Sequence, residues 1–161
     1  MIRPMNDGDS QVVLEIYNKG LASRNATFET RVPTWQDWDR SHHKFCRFVY
    51  AHCGSAVGWV ALSPISTRSC YSGVAEISIY VDPDYAGRGI GHELMAQAIK
   101  ESENNGIWTL HASIFPENKA TLQLHLKHGF RQVGIRERIA KLDGHWRNTL
   151  ILERRSNVAG L

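Results

Sequence analysis

Residues 74 to 104 constrain the fold more than any other stretch of the chain. Val74 to Val81 reads Val-Ala-Glu-Ile-Ser-Ile-Tyr-Val, dense in β-branched and aromatic side chains, and Asp82-Pro83-Asp84 ends it. Glycines 87, 89 and 91 follow around one arginine, and a helical pattern then runs to about Asn104, with Gly106 as its C-cap. A strand that feeds a glycine-rich turn and then a helix gathers backbone N–H groups at the positive end of the helix dipole. That arrangement can cradle a pyrophosphate, although glycines at this spacing also occur in ordinary flexible turns. The dinucleotide fingerprint is absent, since it needs Gly-x-Gly-x-x-Gly in a parallel βαβ unit, and so is the Lys-Ser/Thr of a P-loop.

The flanking segments decide what this unit sits in. Asp9 is placed to cap a helix reaching Ser23, with Val12, Val13, Ile16, Tyr17 and Leu21 at helical spacing. Residues 24 to 33 read as a loop or short strand, and Thr34-x-x-Asp37 opens a second helix carrying Trp35 and Trp38. Phe48 to His52 and Ala56 to Ile65 form a hairpin around Gly54-Ser55, and 66 to 73 is a loop. Ile107 to Phe115 is a strand, Pro116-Glu117 a turn, and Asn118 caps a helix ending at Gly129. Arg131 to Leu142 and Asn148 to Glu153 pair across Asp143-Gly144. Two hairpins demand antiparallel neighbours, so a doubly wound sheet is disfavoured and an α/β (α+β) domain with a mixed sheet is expected.

Composition sets the outer limits. At 161 residues, 42% hydrophobic and 22% charged, the sequence fits one globular domain over 1–161. A net charge of +3 is too small and dispersed for a nucleic-acid partner, yet compatible with an anionic small ligand. The most apolar stretch, Phe48 to Leu62, is broken by His52, Gly54, Ser55 and Gly58, so no membrane partner is expected. Cys46, Cys53 and Cys70 cannot all pair within one chain, which makes the cytoplasm the expected compartment. His42, His43, Cys46, His52 and Cys53 repeat no structural zinc spacing, and no metal site is expected.

The loop Ala86-Gly87-Arg88-Gly89-Ile90-Gly91 resembles the coenzyme A signature Gln/Arg-x-x-Gly-x-Gly/Ala of the GCN5-related N-acetyltransferase (GNAT) superfamily. Ala75-Glu-Ile-Ser-Ile-Tyr-Val, Thr27-Phe-Glu-Thr and Asn118-x6-His125-x3-Gly129-Phe130 are similar to its phosphinothricin acetyltransferase group. The resemblance implies the GNAT fold, a central, mostly antiparallel mixed sheet with helices on both faces. It also implies acetyl-CoA as cosubstrate, a small amino-acid-like amine as acceptor and a homodimer. Ala86 departs from the pattern at its first Gln/Arg position, leaving Arg88 and the amides to hold the pyrophosphate.

Glu76 shares a strand face with Val74, Ser78 and Tyr80, where a helix or ligand could cover it, and a partly buried carboxylate suits a general base. A solvated glutamate is the alternative from residue type alone. The resemblance places Glu76 on the group's catalytic glutamate and His125 on its catalytic histidine. Asn118 and His125, seven residues apart, lie on one helix face, with Leu122, Leu124 and Leu126 supplying the packing; His128 matches nothing and is expected to be solvated. The coenzyme residues implied are Ile79, Tyr80, Val81, Gly87, Arg88, Gly89, Ile90, Gly91, His92 and Asn118. A bulge near 77 to 79 would turn backbone amides toward the thioester. Arg68 and Tyr71 match an arginine and a tyrosine of the group, and an arginine there could clamp an acceptor carboxylate. Thr27, Phe28 and Glu29 would form the facing wall. The bland readings are a surface Arg68 and a core Phe28. The alternatives to an amino acid acetyltransferase are a GNAT enzyme acting on a protein N-terminus or an aminoglycoside-like amine, or a non-catalytic acyl-CoA sensor.

Overall fold

The structure is a computed structural model describing residues 1–161. Seven strands form one sheet: β1 Ile2–Pro4, β2 Phe48–His52, β3 Ser55–Pro64, β4 Val74–Val81, β5 Thr109–Ile114, β6 Arg131–Leu142 and β7 His145–Arg155. Their spatial order is β1-β2-β3-β4-β5-β7-β6. Every neighbouring pair is antiparallel except β4 and β5. That parallel pair needs a crossover, and the helix α3, Ile90–Asn104, supplies it. The expected mixed, mostly antiparallel sheet is therefore present.

The other helices are α1 Ser10–Ala22, α2 Trp35–Ser41 and α4 Lys119–Lys127. One sheet face carries Val49, Trp59 and Ala61, covered by Val13 and Ile16 of α1 and Trp38 of α2. The opposite face carries Val60, Leu62, Ala75, Ile77, Leu110 and Leu152, covered by Ile90, Leu94, Met95 and Ala98 of α3. Strands buried on both faces read as continuous apolar runs, which is why Ala56 to Leu62 shows no alternation.

Several local expectations are adjusted. Asp9 makes no cap bond to α1; Arg3 grips both its oxygens at 2.7 Å and the Asn6 amide reaches it at 2.9 Å. A guanidinium fork is the stronger partner for a carboxylate, and it holds Asp9 below the usual carboxylate range. The first hairpin turns at Cys53 and Gly54 rather than Gly54-Ser55, with φ of +49° and +84° as a type I′ turn requires. The last strand begins at His145, because Asp143 and Gly144 close the turn so tightly that pairing starts at once with Leu142↔His145. Leu122 and Leu124 pack as expected, whereas Leu126 points outward and is 40% exposed. The bulge expected near 77 to 79 is absent, and the β3–β4 register runs unbroken from Gly58↔Val81 to Pro64↔Ala75.

Candidate active site

A wedge opens between β4 and β5 where the bulge was expected to do the work. The two strands pair only at Val74↔Thr109, Ala75↔Leu110 and Glu76↔His111. Beyond that point β4 stays on β3 as far as Val81, and β5 stays on β7 as far as Ile114. The Asp82 N–H donates to the Val57 oxygen at 2.8 Å, and strand amides alternate in direction. The Ile79 and Val81 amides therefore point away from β3, into the wedge. No distortion of β4 is needed to free them, because their usual partner strand has moved away.

The wedge is part of a cavity of about 770 Å³ that takes in Glu76 to Val81 from one side and Ala112 to Phe115 from the other. At the far end of β4 its wall is the glycine turn: Gly87, Gly89, Ile90, Gly91 and His92. Gly87 and Gly89 adopt φ of +75° and +78°, which favours glycine, and a Cβ built on either would meet no atom within 4 Å. The turn is thus uncrowded by the protein itself, and while the His92 amide donates to the Gly89 carbonyl at 3.0 Å, the Ile90 and Gly91 amides at the helix start have no helical acceptor. Arg88, expected to bind the pyrophosphate, is outside the cavity lining; its guanidinium lies 4.9 Å from the Tyr85 ring centre.

α4 contributes Asn118, Thr121, Leu124 and His125 to the wall. His125 is buried, and its Nδ1 donates to the Thr121 carbonyl at 2.7 Å. Only a protonated Nδ1 can make that bond, so in the neutral ring the lone pair belongs to Nε2. Burial, then the nearby His128, push its pKa down, while the Thr121 bond opposes them; the ring is neutral at neutral pH. Phe130 fixes it edge-on at 4.9 Å.

Glu76 lies at the mouth of the wedge with its side chain 41% exposed, less covered than the sequence suggested. It lines the cavity and bonds His111 Nδ1 at 3.3 Å, a partner that nothing local in the sequence marks. On its strand face, Tyr80 packs between Tyr17 at 5.0 Å and Trp59 at 4.9 Å. The Tyr80 ring is therefore held within an aromatic cluster on the cavity wall, and its N–H and C=O face β3 rather than the wedge. Burial is the main cause raising both phenols, Tyr17 to about 12, and Glu29 raises them further; Glu76 also acts on Tyr80. The two carboxylates thus sit around one aromatic group.

Thr27, Phe28 and Glu29 form the expected facing wall. Phe28 packs edge-on against Phe115 at 4.9 Å. Two residues from the far half of the chain hold this loop: Asn118 Nδ2 donates to the Asn25 carbonyl at 3.0 Å, and Arg147 donates to the Arg24 carbonyl at 2.9 Å. Asn118 also caps α4 through Oδ1, so both ends of its amide are engaged within the protein. Arg68 and Tyr71 do not line the cavity; the guanidinium sits 5.4 Å from the tyrosine ring centre, away from the wall.

The strand, glycine turn and helix that carried the resemblance are present and line one cavity, while the inward amides are freed by the parting of β4 and β5 rather than by the expected bulge. Residues 12–130 match the acetyltransferase (GNAT) family. The chain belongs to that family. YwnH of Bacillus subtilis (strain 168), provisionally named a phosphinothricin acetyltransferase, is 35% identical over 151 residues, covering 91% of this chain and 93% of its own. The L-methionine sulfoximine/L-methionine sulfone acetyltransferase of Pseudomonas aeruginosa is 26% identical over 152 residues, covering 90% and 88%. A GNAT phosphinothricin acetyltransferase of Sinorhizobium meliloti, solved with acetyl-CoA, superposes with a TM-score of 0.89 at 22% identity, covering 99% of this chain and 90% of that one. As a GNAT acetyltransferase the protein is an enzyme of acyl transfer.

Proposed function

We propose that residues 1–161 act as one N-acetyltransferase domain that moves the acetyl group of acetyl-CoA directly to the primary amine of a small amino acid or analogue, of the phosphinothricin or methionine sulfoximine type. The observation that carries this reading is the wedge at Glu76↔His111, which puts a carboxylate, inward amides and an open glycine cradle on one continuous wall. Acetyl-CoA supplies the activated acyl carbon. The amides of the Gly87–Gly91 turn bind its diphosphate, and the Ile79 and Val81 amides align the pantetheine arm and polarise the thioester oxygen. Glu76 takes a proton from the incoming ammonium, directly or through water, with neutral His125 orienting the amine or relaying that proton. The C–N bond forms as the C–S bond breaks, and the coenzyme leaves as a thiol once protonated. Holding both reactants in one cavity supplies much of the rate.

Thr27, Phe28 and Glu29 form the acceptor wall in this reading, Glu29 attracting the ammonium. Arg68 clamps an acceptor carboxylate only by leaving the Tyr71 ring. The exposed apolar side chains Val133, Ile135, Ile139 and Trp146 on β6 and β7 are where we place a homodimer contact. Three free cysteines fit the reducing cytoplasm.

The test is release of free thiol from acetyl-CoA over a panel of amino acids, phosphinothricin, methionine sulfoximine, an aminoglycoside and a peptide N-terminus. Amino-acid-type acceptors are expected to turn over, with Glu76→Gln lowering kcat by about 100-fold or more. Undiminished turnover in Glu76→Gln removes it as the base, preference for the peptide or aminoglycoside replaces the acceptor, and binding without transfer to any amine makes the chain a sensor. An acceptor KM unchanged in Arg68→Ala removes the clamp.

A further inference from the structure

His128, expected to be solvated, is half-buried, and its Nε2 lies 3.0 Å from Nδ1 of His92. Two imidazole nitrogens at that distance share a single hydrogen, so one must offer a lone pair. The pair spans two elements, His92 in the first turn of α3 and His128 at the C-cap of α4. His128 is held there from β7, because Arg154 donates to its carbonyl at 3.2 Å while gripping Glu103 of α3 at 2.9 Å. His92 lines the cavity beside Gly91. In a neutral pair, a hydrogen carried by His92 Nδ1 would leave a bare lone pair on its Nε2, which repels phosphate. A hydrogen carried by His128 Nε2, or one extra proton on the pair, leaves His92 Nε2 as a donor.

From this geometry, and resting on the coenzyme reading above, we infer that the His92–His128 pair is a proton-taking clamp for the diphosphate: coenzyme binding draws one proton onto the pair, with His92 meeting the phosphate and His128 positioning it. The turn offers no other cation on the cavity wall, since Ala86 occupies the usual Gln/Arg position and Arg88 lies over Tyr85. The charged and titratable groups facing the pair are Arg154 from β7, with Glu103 bound to it, and His125 one turn back on α4; Glu93 and Lys127 are its chain neighbours. Burial, then the neighbouring His92 and Arg154, lower the pKa of His128 from its ordinary value. It therefore starts neutral and can accept a proton when anionic charge arrives.

Titration calorimetry of acetyl-CoA into the full chain near pH 7, in buffers of different ionisation enthalpy, reads the proton directly. The wild type is expected to take up about one proton per coenzyme bound. His92→Gln and His128→Gln are each expected to abolish that uptake, to flatten the pH dependence of Kd between pH 6 and 8, and to weaken binding at pH 6 by roughly tenfold. Dephospho-coenzyme A, which keeps the diphosphate and lacks the titrating 3′-phosphate, is expected to show the same uptake in the wild type. Uptake retained in both variants, or lost with dephospho-coenzyme A, overturns the clamp while leaving coenzyme binding intact. No binding by the wild type overturns the coenzyme reading and the clamp together.

Discussion

The Nδ1 of His125 donates to the Thr121 carbonyl at 2.7 Å, which turns a buried histidine into a ring of one fixed tautomer facing the cavity. His42 repeats the arrangement on α2, with Nδ1 2.6 Å from the Trp38 carbonyl, and burial is the largest cause lowering both pKa values. A histidine whose folded pKa is depressed binds fewer protons than in the unfolded chain. Its contribution to stability is complete above the unfolded pKa of about 6.5 and is lost as pH falls from there toward the folded value. Thermal unfolding between pH 7.5 and 5 is expected to show Tm falling as pH drops, with a shallower slope in His125→Gln. Equal slopes would show that His125 does not couple to folding.

A second expectation concerns Gly20, in the interior of α1, where glycine normally weakens a helix. A Cβ there would lie 2.6 Å from the Tyr80 ring, so the glycine lets the helix approach the aromatic cluster beside the cavity. Gly20→Ala should lower stability by about 1–3 kcal/mol in urea titrations despite its better helix propensity. A stabilised variant would mean that the ring moves aside freely.

Arg147 reaches from β7 to the Arg24 carbonyl at 2.9 Å and the Asn25 side chain at 3.3 Å, with its guanidinium 4.0 Å from the Phe115 ring centre. It ties down the loop that leads into Thr27–Glu29, the proposed acceptor wall. Arg147→Ala is expected to raise the acceptor KM by about tenfold with a smaller change in kcat, because ground-state positioning is what is lost. The measurement is steady-state kinetics with acetyl-CoA saturating; an unaltered KM would show that the loop holds its shape without the arginine.

The cysteines differ in reach. Cys46 is buried and donates to the Ala98 carbonyl at 3.3 Å, and burial pushes its thiol up to about 12. Cys53 and Cys70 are exposed. An aromatic disulfide reagent near pH 8 should modify two thiols per native chain, and the third only in denaturant. Rapid modification of all three would show that the core around α3 opens readily.

The elements and the glycine turn were legible in the sequence because their signals are local: caps at Thr34 and Asn118, the turn at Asp143-Gly144, a first hairpin turn read one residue late at Gly54, and the run from Val74 through Gly91. The residues marked on that run lie on one cavity wall apart from Arg88, which turns onto Tyr85. Tertiary structure alone decided the rest. Whether β5 follows β4 or leaves it depends on β7 inserting beside β5, a pairing some forty residues farther along the chain that no short pattern encodes. His111 beside Glu76, His128 beside His92, and Asn118 holding Asn25 all follow from that sheet order. Arg68, which the sequence could place only by its distance along the chain from Glu76, lies off the cavity wall against Tyr71.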